Sequence, residues 1–171
     1  MDGKDAHPLP IWFTVQVDLR EKELKALIKQ YKHRARRGRS AIAPGAFDVL
    51  CRLETFQPPR SYTLSLVTGA RLGLAGSYTR AALYAAAEAR GLRPCPPELG
   101  LLLVERHQTR FPRDAWVTLG MTPAPDSFGD DMLFHVSVDE ERVCGISVGS
   151  GHPQTTFNAQ TIWLWWNPAA D

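Results

Sequence analysis

The sequence predicts an α+β domain, an antiparallel sheet of about four to six strands with helices packed on one face and a basic helix near the N-terminus. Three observations predict it. Helical periodicity is concentrated in the first two thirds of the chain, alternating β-rich segments crowd the last third, and 171 residues suit a single domain, 1–171. The domain divides into an N-terminal strand plus basic helical arm, residues 1–40, and an α+β body, residues 41–171.

"IWFTVQVD", residues 11–18, alternates and is rich in β-formers, which predicts a strand. In the following "DLREKELKALIKQYKHRARR", Leu24, Leu27, Ile28 and Tyr31 fall at the spacing of one helical stripe. Asp18 is placed to cap that helix, with Glu21 three residues on, and Gly38 to stop it. A short helix over residues 45–53 fits between Pro44–Gly45 and Pro58–Pro59, and residues 60–69 alternate as a strand. Residues 77–92 are Ala-rich, with Ser77 or Thr79 as cap and Gly91 as stop. Pro96 and Pro97 suit the first turn of a further helix ending near His107, and Glu98 complements its dipole. A strand follows in "DAWVTLGMTP", a turn in "DSFGDD", a hairpin in residues 132–149 about Asp139–Glu141, a loop in "GSGHPQTTFNAQ", and a last strand in "TIWLWWN".

Charge is unevenly placed. Residues 20–39 carry nine Lys or Arg against Glu21 and Glu23, although the net charge of the chain is only +2. Within "KQYKHRARRGRS", Lys29, Lys32, Arg34, Arg36, Arg37 and Arg39 occur with no acid. Such a cluster can release counterions from a nucleic acid or meet an acidic protein. It also has a reading without a ligand, since cations in a last helical turn are favoured by the dipole. No apolar run approaches the length of a membrane helix, and the polar start "MDGKDAHPLP" lacks the pattern of a secretory signal. Cys51, Cys95 and Cys144 are odd in number and widely spaced, which disfavours a disulfide framework or a Cys-rich zinc site and points to reduced thiols in a cytoplasm.

"GLAGSYTRAALYAAAEARGLRPCPPELGLLLVERHQ", "WVTLGMTPAPDSFGDDMLFHV" and "GHPQTTFNAQTIWLWWNP" together carry a resemblance. They resemble a pattern in small uncharacterised bacterial proteins: a Tyr-led helix ending in G-L-x-x-C-P-x-E, a W-x-x-x-(G/A)-M-x-P segment, a D-S-x-G-D turn and a Trp-containing terminal strand. The resemblance covers roughly residues 70–168, leaves the basic segment outside, and implies no catalytic residue.

Other motifs carry less. Cys95 precedes a helix start, where a thiol can be activated, but Pro96 and Pro97 remove two of the N–H groups that would stabilise a thiolate. "DSFGDD" lacks the ligand spacing of an EF-hand, "VGSGHPQ" lacks the Lys of a phosphate loop, and no cofactor or metal is expected. In "IWLWW", alternation puts Trp163 and Trp165 on one face; exposed, they would form a docking surface that a homodimer could cover, and buried, they would be core. Three functions remain. The first is a non-enzymatic binding module that engages nucleic acid or an acidic protein through Lys29, Lys32, Arg34, Arg36, Arg37 and Arg39. The second is an enzyme assembled from distant Cys95, His107, His135 and His152. The third is an interaction module acting through Trp163 and Trp165.

Overall fold

A computed structural model describes residues 9–35, 42–54, 56–112, 114–138 and 144–171. The elements are β1 (Phe13–Val17), α1 (Glu21–Ala35), α2 (Pro44–Arg52), β2 (Arg60–Thr68), β3 (Ser77–Thr79), α3 (Arg80–Ala89), α4 (Glu98–Arg106), β4 (Trp116–Leu119), β5 (Ala124–Pro125), β6 (Asp131–Val138), β7 (Cys144–Ser150), β8 (Thr156–Asn158) and β9 (Ile162–Trp166). The expected α+β architecture is present. Seven strands join in one sheet along β1-β2-β9-β4-β6, with β7 on the far side of β6 and β5 beside β4 on its near side. Every pairing is antiparallel except β4–β9, which sets Val117, Thr118 and Leu119 parallel to Ile162, Trp163 and Leu164. β3 and β8 form a separate two-stranded ribbon.

Side chains alternate across a strand, so the registers sort the sheet into two faces. One face carries Val15, Tyr62, Leu64, Leu164, Leu119, Phe134, Val136 and Ile146, all buried. α4 packs on it so closely that a Cβ on Gly100 would stand 3.2 Å from Leu119 Cδ2. α2 lies beside it, with Gly45 against Val148, and α1 packs against both helices: Tyr31 donates its hydroxyl to Glu105 of α4, and Leu24 and Ile28 are buried. The opposite face carries Trp163 and Trp165. α3 covers them, with the Tyr84 ring 4.9 Å from that of Trp165 in an edge-on contact. Helices therefore cover both faces, α1, α2 and α4 on one and α3 on the other, whereas the sequence predicted them on one face; the Trp163/Trp165 face is apolar too and takes a helix of its own.

Local chemistry explains the ends. Thr79 Oγ1 accepts from Ala82 N–H at 3.2 Å and caps α3, which stops at Gly91 in the left-handed region, φ 77°. α1 starts differently from the sequence expectation. Asp18 does not cap it; its carboxylate takes Arg106 Nη1 at 2.6 Å, tying β1's exit to α4. Glu23 reaches back instead and accepts the Arg20 backbone N–H at 2.7 Å, the second half of a capping box. The expected stop at Gly38 and the hairpin turn at Asp139–Glu141 lie outside the described residues.

Candidate functional site

The inward stripe of α1 fixes where its lysines go. With Leu24, Ile28 and Tyr31 turned into the core, Lys25, Lys29 and Lys32 fall at i, i+4 and i+7 along one exposed edge. α2 runs alongside, and between the helices lies a groove of about 380 Å³. Its floor is apolar: Ile28 and Leu50 are buried, and Phe47, Leu53 and Phe56 are half-buried. Its rim is basic. The Lys25 ammonium sits 6.0 Å from the Phe56 ring centroid and the Lys32 ammonium 5.8 Å from that of Phe47. Lys25 is paired with Glu21 on its own helix, whereas Lys29 and Lys32 make no ion pair among the described residues.

Arg34 is turned away from this groove. Its guanidinium lies 5.2 Å over the Tyr31 ring and 3.8 Å from Glu105, so it serves the α1–α4 contact. Arg36, Arg37 and Arg39 lie outside the described residues. Trp163 and Trp165 require correction as partner-binding residues: both are fully buried, Trp163 Nε1 donating to Tyr78 Oη at 3.1 Å and both rings packed against Tyr84. Their cover is α3 and the β3–β8 ribbon, which contributes Tyr78 and Phe157. Neither tryptophan offers a surface to a partner. Lys25 and Phe47 were missed. The i, i+4, i+7 spacing of the lysines was visible in the sequence, but the phenylalanines arrive from another segment, and only the fold brings them in.

The Cys and His residues do not assemble. Cys95 is buried with its Sγ 3.7 Å from Leu164 O, and burial pushes its thiol pKa far up. His107 caps α4 and leans on the Phe13 ring. His135 lies on the sheet face opposite α4, its Nδ1 sharing a hydrogen bond with Thr118 Oγ1 at 2.9 Å. His152 is exposed and accepts Gln154 N–H at 3.2 Å. No Cys–His hydrogen bond occurs among the described residues. "DSFGDD" is an Asx-type turn, with Asp126 Oδ1 accepting the N–H groups of Phe128 and Asp130. No grouping among the described residues could hold a metal ion.

A second concavity, larger at about 830 Å³, opens beyond the C-terminal end of α2 and shares Leu53 with the first. Segment 93–97 forms one wall. Its residues 93–95 are held in place by Arg93 N–H to Trp166 O at 2.9 Å, Trp166 N–H to Arg93 O at 3.1 Å, and Cys95 N–H to Gly120 O at 2.7 Å. Arg52, Arg60 and Arg93 stand around the opening. The Arg60 guanidinium lies 4.4 Å from the Trp166 ring centroid and 5.2 Å from that of Tyr62. At the start of α4, Glu98 lines the cleft and is only 1% exposed. Its Oε1 accepts Gln57 N–H at 2.7 Å; Oε2 is buried without a hydrogen-bond partner. Burial raises its pKa above the usual carboxyl value. Pro96 and Pro97 contribute to this isolation, because a helix start normally offers carboxylates free N–H groups and prolines have none.

No family model, curated protein or solved structure matches this chain. No helix among the described residues is long and apolar enough to cross a membrane.

Proposed function

We propose that the protein is a non-enzymatic binding module whose α1–α2 groove takes an acidic, amphipathic segment of another protein. One observation carries the reading: Lys25, Lys29 and Lys32 rim an apolar floor of Ile28, Phe47, Leu50 and Phe56. A partner helix with one apolar stripe and flanking carboxylates matches both features, the stripe filling the floor and the acids meeting the rim. Charge complementarity of this kind accelerates encounter and excludes cationic partners. A bare phosphate backbone would match the rim and leave the floor uncovered, so acidic protein is favoured over nucleic acid. The absence of disulfides, with Cys51, Cys95 and Cys144 free, supports a reducing, cytoplasmic setting.

The test is fluorescence anisotropy with a labelled Glu/Leu amphipathic peptide, a sequence-scrambled peptide of the same composition, and single- and double-stranded oligonucleotides, each at two salt concentrations. The expected result is saturable binding of the amphipathic peptide, weakened by salt and by the double change Lys29→Glu/Lys32→Glu, with the scrambled peptide bound more weakly. Binding unaffected by that charge reversal overturns the proposal. Preferential binding of an oligonucleotide overturns it in favour of a nucleic-acid function, and self-association that is lost with the same variant overturns it in favour of a homodimer.

A further inference from the structure

The cleft beyond the C-terminal end of α2 has no part in that reading, yet it combines three features that the fold alone does not require. The first is an unsatisfied acceptor. Glu98 is 1% exposed, and its Oε2 has no hydrogen-bond partner. A buried carboxylate oxygen left unpaired is costly, and native structures normally satisfy such groups. A hydrophobic side chain or a glutamine could occupy a merely structural site at lower cost.

The second feature is a pre-positioned cation. The Arg60 guanidinium is held near the Trp166 and Tyr62 rings, 4.4 and 5.2 Å from their centroids, and its ion pair to Asp171 is long, at 3.7 Å. A planar guanidinium held in this way presents parallel N–H donors suited to a carboxylate or a phosphate. Arg93, bridged through its backbone to Trp166, has its one ion pair among the described residues with exposed Glu88 at 3.0 Å. The third feature is size. A cleft of about 830 Å³ falls in the range of small-molecule sites and is too large for a single water or ion.

We infer that this cleft binds a small zwitterion, an amine-bearing carboxylate or phosphate ester, with the amine donating to Glu98 Oε2 and the anionic group meeting Arg60. A simple anion would be attracted by the arginines but repelled by Glu98. A simple cation would meet the reverse. Only a ligand with both groups meets the acceptor and the donors together, and its ammonium supplies the partner that Oε2 lacks. Glu98 cannot turn towards Arg60 to satisfy itself without releasing Gln57 N–H, which its Oε1 holds at 2.7 Å.

The test is titration of the full-length, ¹⁵N-labelled protein with 2-aminoethyl phosphate, L-glutamate, inorganic phosphate and ethylammonium, following the Gln57 amide and the Trp166 indole N–H. Saturable shifts of both signals are expected with one or both zwitterions, and at least about tenfold weaker binding of phosphate and ethylammonium, the loss of one charge-assisted hydrogen bond. Glu98→Gln, which keeps an acceptor for Gln57, is expected to weaken the zwitterion by about tenfold or more while leaving phosphate binding no weaker. Arg60→Gln is expected to weaken the zwitterion and phosphate alike. Equal affinity for phosphate and zwitterion with indifference to Glu98→Gln would overturn the inference and leave an anion cleft. Absence of any shift up to the solubility of the probes would overturn it altogether. The folded state of each variant is read from the same spectra.

Discussion

The backbone N–H of Gln57 donates to Glu98 Oε1 at 2.7 Å, tying the loop before β2 to the first residue of α4 and fixing a carboxylate whose other oxygen is unpaired. That bond gives the acid two opposed roles: one oxygen holds the loop, and the other carries an unrelieved desolvation cost. The two can be separated by substitution. Glu98 has its folded pKa raised by burial, so the folded state binds its proton more readily than the unfolded chain does. Its favourable contribution is complete below the unfolded pKa and is lost as pH rises through the folded one. Glu98→Gln is therefore expected to match or exceed the wild type in Tm at about pH 8, with its advantage shrinking as pH falls towards the ordinary carboxyl range. Glu98→Ala, which leaves Gln57 N–H without its acceptor, is expected to cost about 1–2 kcal/mol. Thermal unfolding of the three proteins across that range checks both.

His135 gives the opposite sign. Burial lowers its pKa from 6.5 to about 4, so it is neutral in the folded protein at pH 7. As pH falls through about 6.5 the unfolded chain takes up a proton that the folded one refuses, and stability is lost until about pH 4. The loss attributable to this group is on the order of 3 kcal/mol at most. His135→Gln is expected to flatten that part of the acid limb, as measured by urea unfolding at several pH values. An unchanged acid limb would assign the sensitivity to other groups.

Gly120 is a glycine of close approach. A Cβ there would stand 2.5 Å from Trp165 Cδ2, and that indole is buried between Tyr84 and the sheet. Gly120→Ala forces the ring to shift and is expected to destabilise by about 1–3 kcal/mol, read from chemical denaturation. The neighbouring Trp163 loses its bond to Tyr78 Oη if that shift propagates, so quenching of tryptophan fluorescence should change in the folded variant too.

The three thiols differ in access. Cys51 is exposed, whereas Cys95 and Cys144 are buried with their pKa values raised by desolvation. An aromatic disulfide reagent is expected to titrate one thiol quickly in the native protein and all three after denaturation. Because Cys51 lines the α1–α2 groove, its adduct is also expected to block peptide binding there. Fast reaction at Cys95 would overturn the burial argument.

How much of this was legible in the sequence depended on whether the determinant was local. The stripe Leu24–Ile28–Tyr31 and the Thr79 cap are contained in short windows, and α1 and α3 form where those windows place them. β3 and β8 were hidden in segments read as a helix start and a loop. Each has three residues, too few for an alternating pattern, and they exist because Ser77–Thr79 finds Thr156–Asn158 across the fold. The cover of Trp163 and Trp165 was equally hidden, since alternation tells which residues share a face and not what packs on it. Glu98 was read only as a partner for a helix dipole. Its isolation depends on a burial that no local spacing encodes, although the two prolines before it were a visible sign that the usual N–H donors are missing.

β9 lies between β2 and β4, with β2 on one side and β4 on the other, although it follows all the other described strands in sequence. During synthesis on a ribosome, the β1–β2 pair and the β4–β6–β7 group emerge as separate halves with nothing to pair across. The strand that unites them comes out only after residue 162. Until then each half presents an open edge towards the gap that β9 will fill. A nascent chain of this kind stays exposed to edge-to-edge pairing until β9 has been made, and any shielding by a holding chaperone would have to last until residues 162–166 are free.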